Sequence, residues 1–332
     1  MKSNCWMTKM ILTAAAILCV FGVAITAAAQ TKPPAFAAQQ GFDTAQAAAD
    51  ALIQAAGSFD VPALEGILGT DGKDLVASED KVQDKSRAAA FAAKAQEKKT
   101  VAISAKNPRL AVLAVGLEQY PLPIPIVQRN GKWYFDTKQG REVILLRRIG
   151  ANELDAITIC RGYVDAQREY ASTIHDDSGA YQYAQRIIST QGKQDGLVWR
   201  NPDGSLGGPV SEGIAKAIQQ GYSSKAEPYH GYFFKILKGQ GPAAPLGQLD
   251  FLVKDAMIGG FALVAAPAEY RVTGVKTFIV SHDGTVYQKD LGPNTLQAFK
   301  SMERYNPDKT WSRTKDEWPD EQVTPVLEEA KQ

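Results

Sequence analysis

Apolar residues near the start of the chain recur at helical spacing, and they predict three helices. These stretches are residues 42–57, 60–68 and 79–98. Asp43 or Thr44 is the N-cap candidate of the first, and Asp60 that of the second. The third is rich in alanine and charge, which is typical of a solvated helix.

Short apolar runs bounded by turn residues follow and predict a small antiparallel sheet. The runs are 101–103, 110–115, 124–127 and 132–135. Asn130-Gly131 predicts a hairpin between the last two. Pro121, Pro123 and Pro125 lie at the start of the third run, so we expect it to be an edge strand.

Residues 138–172 carry the most regular apolar stripe and predict one long helix. The heptad positions are Ile149, Ala156, Tyr163 and Tyr170. At about 1.5 Å per residue, this helix would be about 50 Å long. Gly140, Gly150 and Gly162 each cost about 1 kcal/mol relative to alanine, which packing of the helix on both halves of the protein could offset.

The remaining chain predicts a loop-rich insertion over 173–228 and then a meander of strands. The strands are 229–237, 261–265, 275–280 and 286–289, with a closing helix over 294–302. The second and third strands are apolar on both sides, so both faces of the sheet need cover. We expect the insertion to cover the second face; another molecule is the alternative.

Together these elements predict an α+β protein of two parts joined by the long helix. The predicted domains are a signal peptide (1–29), a linker (30–41), an α+β domain (42–137), the long helix with a second α+β domain (138–305) and a polar tail (306–332).

The N-terminus predicts export. Lys2 and Lys9 precede an apolar run over 10–29 that ends in Ala27-Ala28-Ala29, an A-x-A cleavage site. Cleavage there predicts a periplasmic or secreted protein without an integral membrane span. An uncleaved membrane anchor is the alternative, because twenty apolar residues can also cross a bilayer.

Composition and charge exclude several classes. Apolar residues make up 45% of the chain, which excludes wholesale disorder. A net charge of +1 leaves no excess of cations to track a phosphate backbone, so we expect no nucleic-acid partner. After cleavage Cys160 is the only cysteine, so no internal disulfide can form.

The sequence contains no recognisable catalytic motif and predicts no cofactor. Cys160 lies beside the apolar stripe, where a small buried core residue is expected. His175, His230 and His282 would form a zinc site only if the fold brought them together with a carboxylate, and nothing in their spacing requires this.

Four residues are candidate ligand or partner contacts: Tyr229, His230, Glu269 and Tyr270. The first pair begins a predicted strand, and the second pair follows Pro267 in a loop between two core strands. Loops on a rigid sheet often carry binding residues. A purely structural role is the alternative.

Three segments resemble a bacterial family of exported proteins known as domain of unknown function 2950. They are FDTAQAAADALIQA, PLPIPIVQRNGKWYFDTKQGREVILLRRIGANELDAI, and GGFALVAAPAEY followed by TFIVSHDGTVYQKDLGP. The resemblance implies no activity. Relatives resemble a D-x-D-x-D-G calcium loop where this chain has residues 175–179, so Asp176 and Asp177 are a weak calcium candidate.

Two weaker resemblances concern the fold. Helices followed by strands that end in GKWYFDT are similar to NTF2-like domains. The long helix and the strands HGYFFKI, GGFALVAAPA, KTFIVSHDG and TVYQKD are similar to the globular part of type IV pilins and pseudopilins.

These observations favour a non-catalytic, envelope-associated binding or assembly module with an envelope protein partner. The alternative is a small-ligand enzyme or hydrolase that uses an NTF2-like cavity near Trp133 and Tyr134.

Overall fold

The computed structural model describes residues 39–77, 81–175, 179–210 and 228–315. The predicted signal peptide, most of the linker, the calcium candidates Asp176 and Asp177 and the tail beyond residue 315 lie outside these residues. Among the helices of the described segments, none combines the length and hydrophobicity that crossing a membrane requires.

Among the described residues, the first part of the chain forms four α-helices and a small antiparallel sheet. The helices are α1 (Ala45–Ser58), α2 (Val61–Leu68), α3 (Lys73–Val76) and α4 (Lys81–Glu97). The strands are β1 (Lys99–Ile103), β2 (Leu110–Val115), β3 (Tyr120–Pro121), β4 (Ile126–Arg129) and β5 (Lys132–Phe135). Their order is β1-β2-β4-β5, with β3 paired to β2.

Local chemistry accounts for these bounds. The Thr44 hydroxyl accepts a hydrogen bond from the Ala47 amide at 3.0 Å, and the Asp60 carboxylate accepts one from Ala63 at 3.1 Å, so each residue caps its helix. Asn130 and Gly131 both have positive φ, 52° and 77°, as a type I′ hairpin turn requires.

The expectation of an edge strand after the three prolines is wrong, because β4 lies between β2 and β5. Pro125 precedes the first paired residue, Ile126, so it removes no hydrogen bond from the ladder. The strand at this end of the sheet is β5, whose Trp133 forms an isolated bridge with Phe42.

The long helix α5 runs unbroken over Thr137–Tyr170, as predicted. The Asp136 carboxylate caps it by accepting a hydrogen bond from the Gln139 amide at 3.2 Å. Its first turn is tied to the first part of the protein, since the Thr137 hydroxyl donates to the Leu68 carbonyl at 2.7 Å.

The second part is built around an antiparallel sheet of order β18-β16-β15-β14-β9. The strands are β6 (Arg186–Ile188), β7 (Gly196–Arg200), β8 (Leu206–Gly207), β9 (Tyr232–Leu237), β10 (Gly239–Gln240), β11 (Leu249–Asp250), β12 (Leu252–Val253), β13 (Ala256–Met257), β14 (Ala262–Pro267), β15 (Lys276–Ser281), β16 (Tyr287–Asp290), β17 (Arg304–Tyr305) and β18 (Ser312–Arg313). Helix α6 (Thr295–Ser301) follows β16. The predicted α+β class is confirmed.

The two faces of this sheet are covered by different elements. One face packs against α5, where Glu153 Oε1 accepts hydrogen bonds from the amides of Val275 and Lys276 at 2.9 and 3.0 Å. On the other face, the Phe233 ring lies 6.5 Å from that of Phe299 on α6.

The start of the predicted polar tail also packs on that second face. Lys289 lies over the Trp311 ring at 5.8 Å, and β18 pairs with β16. The described part of the insertion lies elsewhere, with Tyr183 against Phe261 at 4.7 Å. The expectation that the insertion covers this face therefore does not hold for the described residues, and the apolar strands give no independent argument for a partner.

The apolar side chains of the described segments form two separate hydrophobic clusters. The first joins α1, α2 and the first sheet, and the second joins the C-terminal half of α5 to the second sheet. The first turns of α5 contact the elements around the first cluster, so this one helix connects both.

Close packing requires a glycine at position 140 of α5 but not at position 162. A Cβ at Gly140 would lie 2.9 Å from Ile124 Cα, whereas a Cβ at Gly162 would meet nothing within 4 Å. The cost of Gly140 in a helix is therefore offset by a close approach that a larger residue would prevent.

We expect Gly140→Ala to lower the thermal unfolding midpoint, because a displaced backbone costs about 1–3 kcal/mol. Gly162→Ala is the matched control, and we expect it to raise the midpoint, since alanine favours a helix by about 1 kcal/mol. Thermal unfolding followed by circular dichroism measures both. Equal stabilisation by the two variants would contradict the close contact between α5 and Ile124.

Candidate functional site

Tyr229 and His230 precede the first strand of the second sheet instead of beginning it. The Tyr229 and Tyr232 backbones exchange hydrogen bonds at 3.1 and 2.9 Å, and His230 and Gly231 between them have positive φ of 44° and 73°. This geometry is a tight turn of the type I′ kind. Strand β9 therefore begins at Tyr232, not at Tyr229.

The His230 imidazole is oriented by a carboxylate from the long helix. Its Nδ1 lies within hydrogen-bonding distance of Asp155 Oδ2, and each side chain is 47% exposed. The ring also stacks on Tyr229, with centroids 4.2 Å apart. A carboxylate on Nδ1 favours the tautomer protonated there, which leaves Nε2 as an acceptor.

Glu269 and Tyr270 lie in the loop that packs beside this turn. The Ala268 amide donates to the Gly231 carbonyl at 2.8 Å, which joins the two segments. The Tyr270 hydroxyl donates to Asp290 Oδ2 at 3.2 Å. The Glu269 backbone bonds to Thr273 within the loop.

Two side chains of helix α5 donate hydrogen bonds to the same loop. The Asn152 side chain donates to the Thr273 carbonyl at 2.8 Å, and Arg148 donates to that of Val272 at 3.2 Å. The fold thus brings the two predicted pairs of contact residues together near the middle of α5. Most of the observed hydrogen bonds there hold the backbone of the loop and of the turn.

The three histidines do not converge. His230 bonds to Asp155, whereas the His282 carbonyl accepts from Arg168 at 3.1 Å and His175 bonds to the carbonyl of Tyr170 at 2.8 Å. Positions 155 and 168 are about 20 Å apart along the helix axis. Within the described segments, no group of three or more His, Cys, Asp or Glu residues could hold a metal ion.

The Cys160 side chain is fully buried in the second hydrophobic cluster. Burial raises the pKa of the Cys160 thiol to about 12, and the nearby Arg161 lowers it by less. A nucleophilic cysteine needs an accessible thiolate. The predicted role of Cys160 as a packed core residue agrees with this environment.

A cavity of about 400 Å³ opens in the first part of the protein, at a place that the sequence did not suggest. Its walls come from α1, α2, α3, α4, the segment before β4 and the start of α5. They comprise Leu52, Ala56, Phe59, Leu64, Leu68, Asp74, Leu75, Val76, Asp84, Arg87, Ala88, Phe91, Leu122, Pro123, Ile124 and Ile144.

Exposure distinguishes the floor of this cavity from its mouth. Leu52, Leu64 and Ile124 are buried, whereas Asp74 and Arg87 are exposed to solvent. Asp84 is a buried charged residue of the wall, but the rest of the buried lining is apolar. The cavity therefore has a largely apolar floor and a charged mouth, the arrangement common in small-molecule sites. Apolar residues at helical spacing would look the same in a filled core, so the sequence contained no signal for it.

The observed cavity is not at the place predicted from the sequence, because neither Trp133 nor Tyr134 is among the residues that line it. Trp133 is buried in the first hydrophobic cluster, and its amide donates to the Phe42 carbonyl at 2.7 Å. The Tyr134 ring is close to Gly41, where a Cβ would lie 2.6 Å from it.

Residues 39–314 match a family model described as "Protein of unknown function (DUF2950)". No curated protein matches the chain, and no solved structure does. The match spans most of the chain and includes the cavity, the turn at His230 and the loop at Glu269.

We expect the Cys160 thiol to resist alkylation by iodoacetamide at pH 8 in the folded protein and to react in guanidinium chloride, because burial and the raised pKa both suppress the thiolate. Intact-mass measurement of a chain beginning at Gln30 reports the modification. Ala151→Cys, at an exposed position of the same helix, should react while folded. Rapid labelling of the folded parent chain would contradict the burial.

Proposed function

We propose that this chain, which belongs to the DUF2950 family over residues 39–314, is an exported, non-catalytic binding protein that takes up a small apolar molecule. The cavity between α1, α2, α4 and α5 carries the proposal. The leader-like N-terminus supports its export to the periplasm or the medium.

The apolar floor supports binding through the hydrophobic effect. Transfer of apolar surface from water contributes about 25 cal/mol per Å². The volume of about 400 Å³ lies at the lower end of the usual range for small-molecule pockets, about 300–1,000 Å³. A single small molecule fits this space better than a two-chain lipid.

The proposal that the protein is exported is based only on residues 1–29. The two lysines, the apolar run and the A-x-A site at residues 27–29 are typical of a cleaved leader. An envelope protein partner stays a prediction, and no surface of the described residues is assigned to it.

A hydrolase that uses this cavity is a second candidate, favoured by two carboxylates on the wall, Asp74 and Asp84. Paired carboxylates can act as acid and base. We place binding first because Asp74 is already paired with Arg141 and Asp84 has an interaction of its own. Release of product from an ester bound in the cavity would favour the hydrolase.

We expect Ala88→Phe to weaken binding of the neutral fluorescent probe 1-N-phenylnaphthylamine at least tenfold, because Ala88 lines the cavity and the larger ring would fill it. Ala89→Phe is the matched control, since Ala89 is exposed on the same helix and does not line the cavity. Fluorescence titration measures both affinities, and unfolding midpoints verify that both variants fold. Equal affinity in the two variants would refute the proposed site.

We expect the exported protein to lack residues 1–29. Intact-mass measurement of periplasmic and secreted fractions reports the cleavage site. Ala29→Phe should retain the leader or shift cleavage to the second A-x-A at residues 35–37, whereas Ala28→Phe, between the two small positions, should be processed normally. A membrane-bound chain of full mass would support the anchor instead.

A further inference from the structure

The acidic side chains on the cavity wall already have partners. Arg141 pairs with the Asp74 carboxylate and also donates through Nε to the Asp71 carbonyl at 2.7 Å. Asp84 is only 8% exposed and has an interaction of its own. Both wall carboxylates therefore already have a partner.

Arg87 differs from both acids. It lines the cavity and is exposed, and among the described residues we find no ion pair or hydrogen bond for its guanidinium. On α4, Asp84 lies one turn before Arg87 and Phe91 one turn after it, so these three residues share one face of the helix, and all three line the cavity. A guanidinium at the mouth of an apolar cavity presents N–H donors in a planar fork.

We infer that the ligand is an amphiphile whose apolar part fills the cavity and whose anionic head group pairs with Arg87. This inference rests on the proposed function and adds the class of ligand. A carboxylate fits the planar guanidinium, which can bind it through two parallel hydrogen bonds. The volume favours a single short chain, such as a medium-chain carboxylate.

An ordinary solvated arginine is the other interpretation of Arg87. An exposed ion pair contributes little free energy, so an arginine on the surface can stay solvated without a partner. Lys85 provides the comparison, because it is exposed on the same helix but does not line the cavity. If Arg87 selects the head group, substitution of Arg87 should change the preference for an anionic ligand, and substitution of Lys85 should not.

Three probes with the same carbon chain test the head group: sodium decanoate, 1-decanol and decylammonium chloride. At pH 7 they are anionic, neutral and cationic. Displacement of 1-N-phenylnaphthylamine from the purified protein gives the three affinities. We expect decanoate to bind most tightly, and we expect higher salt to narrow its advantage.

We expect Arg87→Gln to weaken decanoate binding about fivefold and leave 1-decanol unchanged, in line with an exposed charge pair. Arg87→Lys should retain part of the preference, and Lys85→Gln should change none of the affinities. The exposed position of Arg87 means that the variants should fold, which unfolding midpoints verify.

Each contrary result identifies what has failed. Equal binding of decanoate and decanol, unchanged by Arg87→Gln, would overturn the head-group inference and leave the cavity as a binding site. Tightest binding of decylammonium would also overturn it, in favour of the wall carboxylates. Failure of the neutral naphthylamine itself to bind would overturn the proposed function.

Discussion

The structure depends on one long helix, α5, whose two ends pack in different parts of the protein. The first turns of α5 approach the first part of the protein so closely that Gly140 faces Ile124, and its C-terminal half packs in the second hydrophobic cluster. Because backbone hydrogen bonds run continuously over 34 residues, each end is positioned by the packing of the other. Tertiary burial stabilises a helix that carries three glycines.

This helix also positions the features to which we assign chemistry. Ile144 lines the cavity, one turn beyond the contact at Gly140. Further along, Asn152 and Asp155 bind the loop after β14 and the turn before β9. The cavity and the turn at His230 are therefore fixed by one element. The His230–Asp155 pair organises the turn, whereas the cavity offers the space that a ligand needs.

Much of the local structure was predictable, because helices and turns depend on nearby residues. The long helix, the N-cap at Asp60 and the Asn130-Gly131 hairpin follow from periodicity, capping and backbone preference. The order of strands was less accessible. β4 can be an interior strand because the three prolines precede its paired residues. Which residues pair depends on the register of the strands.

By itself, the sequence determined the α+β class, the position of the long helix and the family, since each is encoded in local pattern or motif. Only the tertiary structure decided that α6 and Trp311 cover the second face of the sheet and that His230 lies far from the other two histidines. It also decided that Arg87 stands at the mouth of a largely apolar cavity. Apolar periodicity shows which face of an element is buried, but it does not show what that face meets. A filled core and an open cavity therefore have the same pattern in the chain, and only the positions of distant elements distinguish them.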